Sequence, residues 1–389
     1  MTHTPQELGA WLRLSLTPGV GPESARRLLA AFGEPQAIFA QTETALSQVV
    51  SAHQARALGS EPDGCAALTQ ETLDWLQAHA LLGCCVLTLG DSDYPAPLLD
   101  IPDPPLMLYA MGQTAHLATL QAEQALAIVG SRNPTPQGAD NAREFARSLA
   151  ANGLTIVSGL ALGVDGAAHE GALLGHAGKG LATIAIVGTG LDRVYPRQHR
   201  DLAHRITQNG LLLSEYPLGT PPLAPNFPRR NRLISGLSQA TLVVEAALQS
   251  GSLITAKQAL DQGRDVMAIP GSIHATQSKG CHALIKQGAK LVESAQDVLE
   301  ELRTPAPIAQ QALDLSTDTK TDGETPTGQK DDPERALLRV LGHDPVGLDA
   351  LQARCGWPTA QLQAQLLELE LMGQVGRLPG GLFQRIGSA

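Results

Sequence analysis

Arginine is the residue of this chain best placed to do chemistry. Between positions 193 and 232 it occurs as Arg193, Arg197, Arg200, Arg205, Arg229, Arg230 and Arg232, against only Asp201 and Glu215. A guanidinium is a planar fork of donors that grips phosphate bidentately and stacks on flat rings, so such a cluster suits a nucleic-acid backbone better than one small ligand. Arg132 belongs with this group. Tyr195, Tyr216 and Phe227 offer stacking faces to bases, although each can equally serve a hydrophobic core.

Short glycine-containing turns are a second means of holding an anion. Three of them follow apolar runs: Gly130-Ser131-Arg132, Ser158-Gly159-Leu-Ala-Leu-Gly-Val-Asp165 and Gly188-Thr-Gly190. Small residues let the backbone approach a phosphate, and the start of the following helix adds N–H donors and partial positive charge. One such glycine can do no more than permit a tight turn; three in one sheet point to phosphate. The loop from Glu245 to Thr255 is similar, with Ser250, Ser252 and Thr255 as helix caps or phosphate donors. The positions expected to meet a polyanion are thus Gly130, Ser131, Arg132, Ser158, Gly159, Gly188, Gly190, Arg197, Arg200, Arg229, Arg230, Asn231, Arg232, Ser250 and Ser252.

Spacings that would signal other chemistry do not occur. The segment from Gly130 does not fit GxGxxG, Gly188-Thr-Gly190-Leu-Asp-Arg193 lacks the third glycine, and neither GxxxxGK[ST] nor GxSxG is present. Glu245 and Asp165 fall at strand ends where a general base could sit. With no histidine partner or metal site in the sequence, salt bridges to arginine account for them better, and His169 is placed for packing. Cys65, Cys84, Cys85, Cys281 and Cys355 are odd in number and make no paired CxxC pattern, which disfavours structural zinc and a disulfide framework. The expectation is a binding protein with no catalytic residue, cofactor or metal.

These residues need elements to position them. Buried strands read at Leu126–Val129, Thr155–Ser158, Thr183–Val187, Leu211–Glu215, Leu242–Glu245, Val266–Ile269 and Lys290–Val292. Helical patterns lie between them at Gly138–Ala151, Gly166–Gly175, His199–Gln208, Thr255–Gln262 and Cys281–Gln287, and the alternation implies a doubly wound parallel sheet. The segment Cys85–Met111 adds strands to it, and Phe227–Ile234 reads as a loop. A ligand then belongs beyond the carboxyl ends of the strands.

The 389 residues carry a prior of two to three domains. Residues 1–82 read as a helical bundle containing a helix-hairpin-helix element over Leu16–Leu29. Its glycine-rich turn could offer N–H groups to phosphate, but residues 1–110 hold 4 Lys or Arg against 12 Asp or Glu, which favours a plain helix start. Residues 83–303 form the α/β domain; within them, residues 120–303 hold 17 Lys or Arg against 15 Asp or Glu. Residues 304–332 are polar, acidic and rich in Pro and Gly, as in a flexible linker. Residues 333–389 read as helices near Glu334–Leu341, Gly347–Ala353 and Thr359–Met372 and a hairpin over Val375–Gln384, a small winged-helix domain.

Composition bounds the rest. Apolar residues are 43% and charged residues 17% of the chain, which excludes wholesale disorder, and the net charge of −10 argues against a protein that coats nucleic acid with its whole surface. No stretch approaches the roughly 18 apolar residues of a membrane span, and Met1–Arg13 lacks the pattern of a secretion signal. A cytoplasmic protein without membrane contact is expected.

The chain closely resembles the DprA (Smf) family of DNA-processing proteins of bacterial natural transformation. The resemblance rests on Val129-Gly-Ser-Arg132, Ser158–Asp165, Gly188-Thr-Gly-Leu-Asp-Arg-Val-Tyr-Pro196, Ser214-Glu-Tyr-Pro217, Phe227-Pro-Arg-Arg-Asn-Arg232, Val244-Glu-Ala246 with Ser250–Thr255, and Gly263–Gly271, in order along the central domain. It implies an extended Rossmann fold preceded by a sterile-alpha-motif (SAM)-like helical domain and followed by a winged helix. It implies single-stranded DNA binding without catalysis, protection of incoming strands, a homodimer, and loading of the recombinase RecA alongside single-strand binding protein. By position, Arg132 matches the family's basic residue after the first strand, and Arg197 the one after Tyr-Pro, which is often lysine. The chain departs in lacking the expected Asn after Tyr195-Pro196, and Thr359–Met372 carries Glu368 and Glu370 without Lys or Arg, which leaves duplex-DNA reading open and favours protein contact or dimerisation there.

Two other readings of the same residues stand beside this one. A nucleotide hydrolase of the lysine-decarboxylase-like fold would use Glu245 on a nucleoside monophosphate, but the Pro-Gly-Gly-x-Gly-Thr run it requires is missing. A scaffold would recruit partners through its terminal domains, with the arginines only forming salt bridges.

Overall fold

A computed structural model of the chain describes residues 3–302, 337, 338, 341 and 345–386. The linker expected over 304–332, and most of the helix expected over Glu334–Leu341, lie outside the described residues. The chain divides into two compact units, one running to Pro134 and from Asn141 to Ala295, the other combining Thr135–Asp140 with the described residues from Gln296 onward.

The first unit opens with helices α1 (Pro5–Leu16), α2 (Pro22–Phe32), α3 (Pro35–Phe39), α4 (Glu43–Leu46), α5 (Ala52–Leu58) and α6 (Cys65–Ala78). Thr4 and Glu7 close a capping box at the start of α1, and proline stands in the first turn of both α1 and α2, where its missing N–H costs nothing. The turn from Thr17 to Gly21 joins them. Leu8, Leu12, Leu28, Ile38 and Trp75 pack into one hydrophobic cluster with Met107, Tyr109 and Leu212 of the sheet. The helices and the sheet therefore share a core, with the Tyr109 ring edge-on to Trp75 at 6.2 Å.

The sheet has nine strands in the order β1-β2-β6-β5-β4-β3-β7-β8-β9. They are β1 (Cys85–Thr88), β2 (Met107–Gly112), β3 (Ala125–Val129), β4 (Thr155–Ser158), β5 (Thr183–Ile186), β6 (Leu211–Ser214), β7 (Ala240–Val243), β8 (Asp265–Ala268) and β9 (Lys290–Leu291). From β6 to β9 every pair is parallel, while β1 and β2 add an antiparallel edge, as expected of Cys85–Met111. Helices α7 (Pro136–Ala151), α8 (Val164–Gly175), α9 (Arg200–Asn209), α10 (Asn226–Gly236), α11 (Gly251–Asp261) and α12 (Lys279–Lys286) complete the α/β alternation, and α13 (Ala295–Leu302) opens the C-terminal part of the second unit. The result is the extended, doubly wound Rossmann-like sheet expected.

One expectation is corrected here. The arginine run Phe227–Ile234 is not a loop but most of helix α10. Its periodicity is hidden because part of the inward face is made by Arg230 and Arg232, both buried, rather than by apolar residues. Pro228 sits in the first turn, where a helix tolerates it.

In the second unit, β10 (Val346–Gly347), β11 (Val375–Leu378) and β12 (Leu382–Arg385) form a sheet in the order β10-β12-β11. Helices Leu348–Cys355 and Thr359–Leu371 bury Leu351, Leu362, Leu366 and Leu369 against Val346, Val375 and Phe383. This is a winged helix, with β10 as a strand the sequence pattern did not disclose.

Candidate nucleic-acid interface

The chain runs outward from β3 to β4, β5 and β6 on one side and from β7 to β8 and β9 on the other, so the carboxyl ends of β3 and β7 form the switch point of the sheet. A crevice is expected there. A cavity of about 500 Å³ occupies it, walled by Gly130, Ser131 and Arg132 after β3, by Ala247 and Gln249–Ser252 leading into α11, and by Phe227, Pro228, Arg230 and Asn231 of α10.

Arg230 is the central feature. It is 3% exposed, its Nη1 donates to the Ile186 carbonyl, and its Nε has no partner. No carboxylate lies within ion-pair distance of it among the described residues. Burial pulls the guanidinium down to about 10, with Asp165 opposing that shift and Arg132 adding to it, so it stays charged at neutral pH. A buried charge without a close counter-ion is costly, and an anion in the cavity would offset that cost.

Asp165 also lines the cavity, with its carboxylate tied to the protein. Its Oδ2 accepts from the Gly159 and Ala161 amides at 3.1 and 3.3 Å, an arrangement set by Leu160 in the left-handed region at φ 58°. Burial raises its carboxyl, while Arg230 and the two amides pull the other way.

The rim combines charge with flat apolar surface. Phe227 lies over Gly188, the guanidinium of Arg132 stands 5.6 Å from the Phe227 ring centre, and Tyr195, 46% exposed, flanks the same ring at 5.6 Å. Ser250 caps α11 by accepting from the Ser252 amide, and the two hydroxyls are 2.7 Å apart. The exposed side chains of Arg132, Arg197, Arg200 and Arg229 make no hydrogen bond or ion pair with the described residues.

The structure brings together Gly130, Ser131, Arg132, Arg230, Asn231, Ser250 and Ser252 as walls of one cavity. Five other expected positions are turned to the protein itself. Ser158 donates to the Ile128 carbonyl. Gly159 leaves room for the Arg230 guanidinium, and Gly188 and Gly190 are covered by Phe227 and by Pro217–Leu218. Arg232 forms a two-pronged pair with Glu215 at 2.8 and 2.7 Å and reaches Asp103 at 3.2 Å. Two of the three glycine turns thus serve protein packing: the expectation treated every small residue at a strand end as open to solvent. Tyr216 is likewise engaged, donating to the Asn226 carbonyl, with burial pushing it up to about 12. Asp103, the counter-charge of Arg232, lies far off in sequence and carried no signal.

Fold and cavity together define an α/β protein of the Rossmann type with a cationic crevice at its switch point and a separate winged helix. Residues 85–303 match the family DNA recombination-mediator protein A, and residues 321–381 match the DprA winged helix domain. The chain is 44% identical over 318 residues to protein Smf of Escherichia coli K12, covering 80% of this chain and 79% of that one. It is 48% identical over 211 residues to DNA processing protein DprA of Streptococcus pneumoniae R6, covering 54% and 72%. Among solved structures it is similar to DNA processing protein A of S. pneumoniae, with a TM-score of 0.59, 36% identity, and coverage of 78% of this chain and 100% of that one. It also matches DNA processing protein A of Helicobacter pylori, whose structure describes its single-stranded DNA binding mode, with a TM-score of 0.50, 34% identity and coverage of 56% and 95%. The chain belongs to the DNA recombination-mediator protein A family, the DprA/Smf proteins.

Proposed function

We propose that the chain binds single-stranded DNA without catalysis, with a phosphate of the strand in the switch-point cavity. The observation that carries this is the buried guanidinium of Arg230, its Nε without a partner and no carboxylate within ion-pair distance among the described residues, in a cavity that Arg132 also lines. Ser250, Ser252 and Asn231 add polar groups at the walls, and Phe227 and Tyr195 offer stacking faces that tolerate any base. Arg197, Arg200 and Arg229 extend the cationic rim. A binding role also accords with Asp165, which lines the cavity, having its Oδ2 held by two amides.

Within this reading the protein shields incoming strands and promotes RecA loading beside single-strand binding protein, in natural transformation and recombination. The family's description as a recombination mediator supports that assignment. In this reading residues 1–82 serve as a SAM-like module, 83–302 as the DNA-binding domain and 345–386 as the winged helix. Homodimerisation is supported by the open edge at β9, where Leu291 is 43% exposed. No helix among the described residues is long and apolar enough to cross a membrane, and a cytoplasmic site of action fits the DNA-binding role.

The test is fluorescence anisotropy with labelled oligo-dT and a matched duplex at two salt concentrations, on wild type and on Arg132→Ala/Arg230→Ala. Single-strand preference lost in the double variant is expected; unchanged binding would move the site away from the cavity.

A further inference from the structure

A second cavity, of about 330 Å³, opens where the helical segment meets the sheet. Leu12 and Leu16 of α1, Val20 of the following turn, Met107 of β2, Tyr216 and Arg229 line it. Helix α10 separates it from the first cavity: Phe227, Pro228 and Arg230 wall the first, and Arg229 reaches the second. Its size falls in the range of small-molecule sites.

Its charges are simple. Glu215 also lines it, but both carboxylate oxygens are taken by the two terminal nitrogens of Arg232, so that charge is answered within the protein. Arg229 is exposed and has no such partner. The cavity therefore offers largely apolar walls, the rings of Tyr109 and Tyr216, and the Arg229 cation. An apolar side chain of a protein partner would fill the walls and leave Arg229 unanswered, whereas a nucleotide answers both, its base against the walls and its phosphate on the guanidinium.

We propose that this cavity takes one base of the same DNA strand that occupies the switch-point cavity, with the adjoining phosphate on Arg229. The proposal rests on the reading of the first cavity as the strand's phosphate site. Continuity favours it, since neighbouring residues of α10 serve both sites, Arg230 walling the first cavity and Arg229 lining the second. A helix is about 10–12 Å across, so at a spacing of at least ~3.4 Å per nucleotide the two sites are at most about three nucleotides apart. The helical segment thereby gains a direct part in DNA binding.

The test is ultraviolet cross-linking of the full chain to a short oligo-dT carrying one 5-iodo-deoxyuridine at successive positions, with the cross-linked peptides mapped. Cross-links are expected at Phe227 from one position and at Tyr216 or Met107 from another no more than about three nucleotides away. Leu16→Phe, which narrows only the second cavity, should remove the Tyr216 and Met107 cross-links and keep that at Phe227. Cross-links confined to Phe227 and Tyr195 on a strand that still binds would overturn the second cavity and leave the first standing. Absence of single-strand binding altogether would overturn both.

Discussion

Gly159 and Arg230 share one space. A Cβ on residue 159 would overlap the guanidinium of Arg230, so the glycine after β4 is there to admit an arginine side chain from α10. The two residues are 71 positions apart, and this contact holds the only buried, unpaired guanidinium among the described residues beside the cavity. The glycine bears on the proposed phosphate site only through Arg230.

Gly159→Ala should therefore displace Arg230 and weaken single-strand binding at least as much as Arg230→Ala does. Overpacking at this buried position should cost about 1–3 kcal/mol of stability. Anisotropy titration and thermal unfolding of both variants check this; an alanine variant that binds like wild type would show that Arg230 does not hold the strand.

The arginines separate into two groups with different signatures. Arg132 is exposed and makes no hydrogen bond or ion pair with the described residues, so Arg132→Ala should leave the melting temperature near wild type and reduce the slope of log affinity against log salt by about 0.7 if it neutralises one phosphate. Arg232 is 7% exposed and paired with Glu215, so Arg232→Ala leaves a buried carboxylate without its partner and should cost about 3–5 kcal/mol in stability. Its folded fraction should keep the wild-type salt slope, since Arg232 is engaged inside the protein.

How far the sequence disclosed this arrangement depends on what each segment packs against. Strands buried on both faces of a parallel sheet are near-continuous apolar runs, so Thr155–Ser158 was legible to the residue. The strand expected at Leu242–Glu245 formed instead over Ala240–Val243, because small Ala240 and polar Thr241 pair with Leu126 and Ala127 in the interior, where no apolar pattern announces them. Helix α10 escaped because charged residues form part of its inward face. The arginines were legible as a cluster, but their division into cavity, rim and core was not, since the partners that decide it, Gly159, Glu215 and Asp103, come from other segments.

His169 should give the fold a pH dependence. It is fully buried, and Thr183 Oγ1, which donates to the Ile156 carbonyl, must accept from His169 Nδ1 at 2.6 Å, leaving Nε2 without a partner. Burial, followed by the charges of His199 and Arg230, pushes the imidazole down to about 3. The folded value lies below the unfolded one of roughly 6.5, so the unfolded chain binds the extra proton between these limits. Stability from this residue is complete above about pH 6.5 and falls by about 1.4 kcal/mol per unit as pH drops towards the folded value. In urea unfolding at pH 4.5 to 7, His169→Gln should lose that part of the slope; parallel curves for the two proteins would refute the assignment.

Phe227 tests stacking apart from charge. Its ring lies against Gly188, beside Tyr195 and under the Arg132 guanidinium, and a base laid on this surface would meet an aromatic face and a cation together. Base–aromatic stacking contributes about 1–3 kcal/mol per base, so Phe227→Ala should weaken oligo-dT binding by at least about fivefold. Because no phosphate contact is removed, the salt slope should stay at the wild-type value, in contrast to Arg132→Ala. The contrast matters because Phe227→Ala also frees Arg132 to move. If the salt slope falls along with the affinity, Phe227 acts by positioning Arg132; if affinity falls at constant slope, the ring itself carries a base.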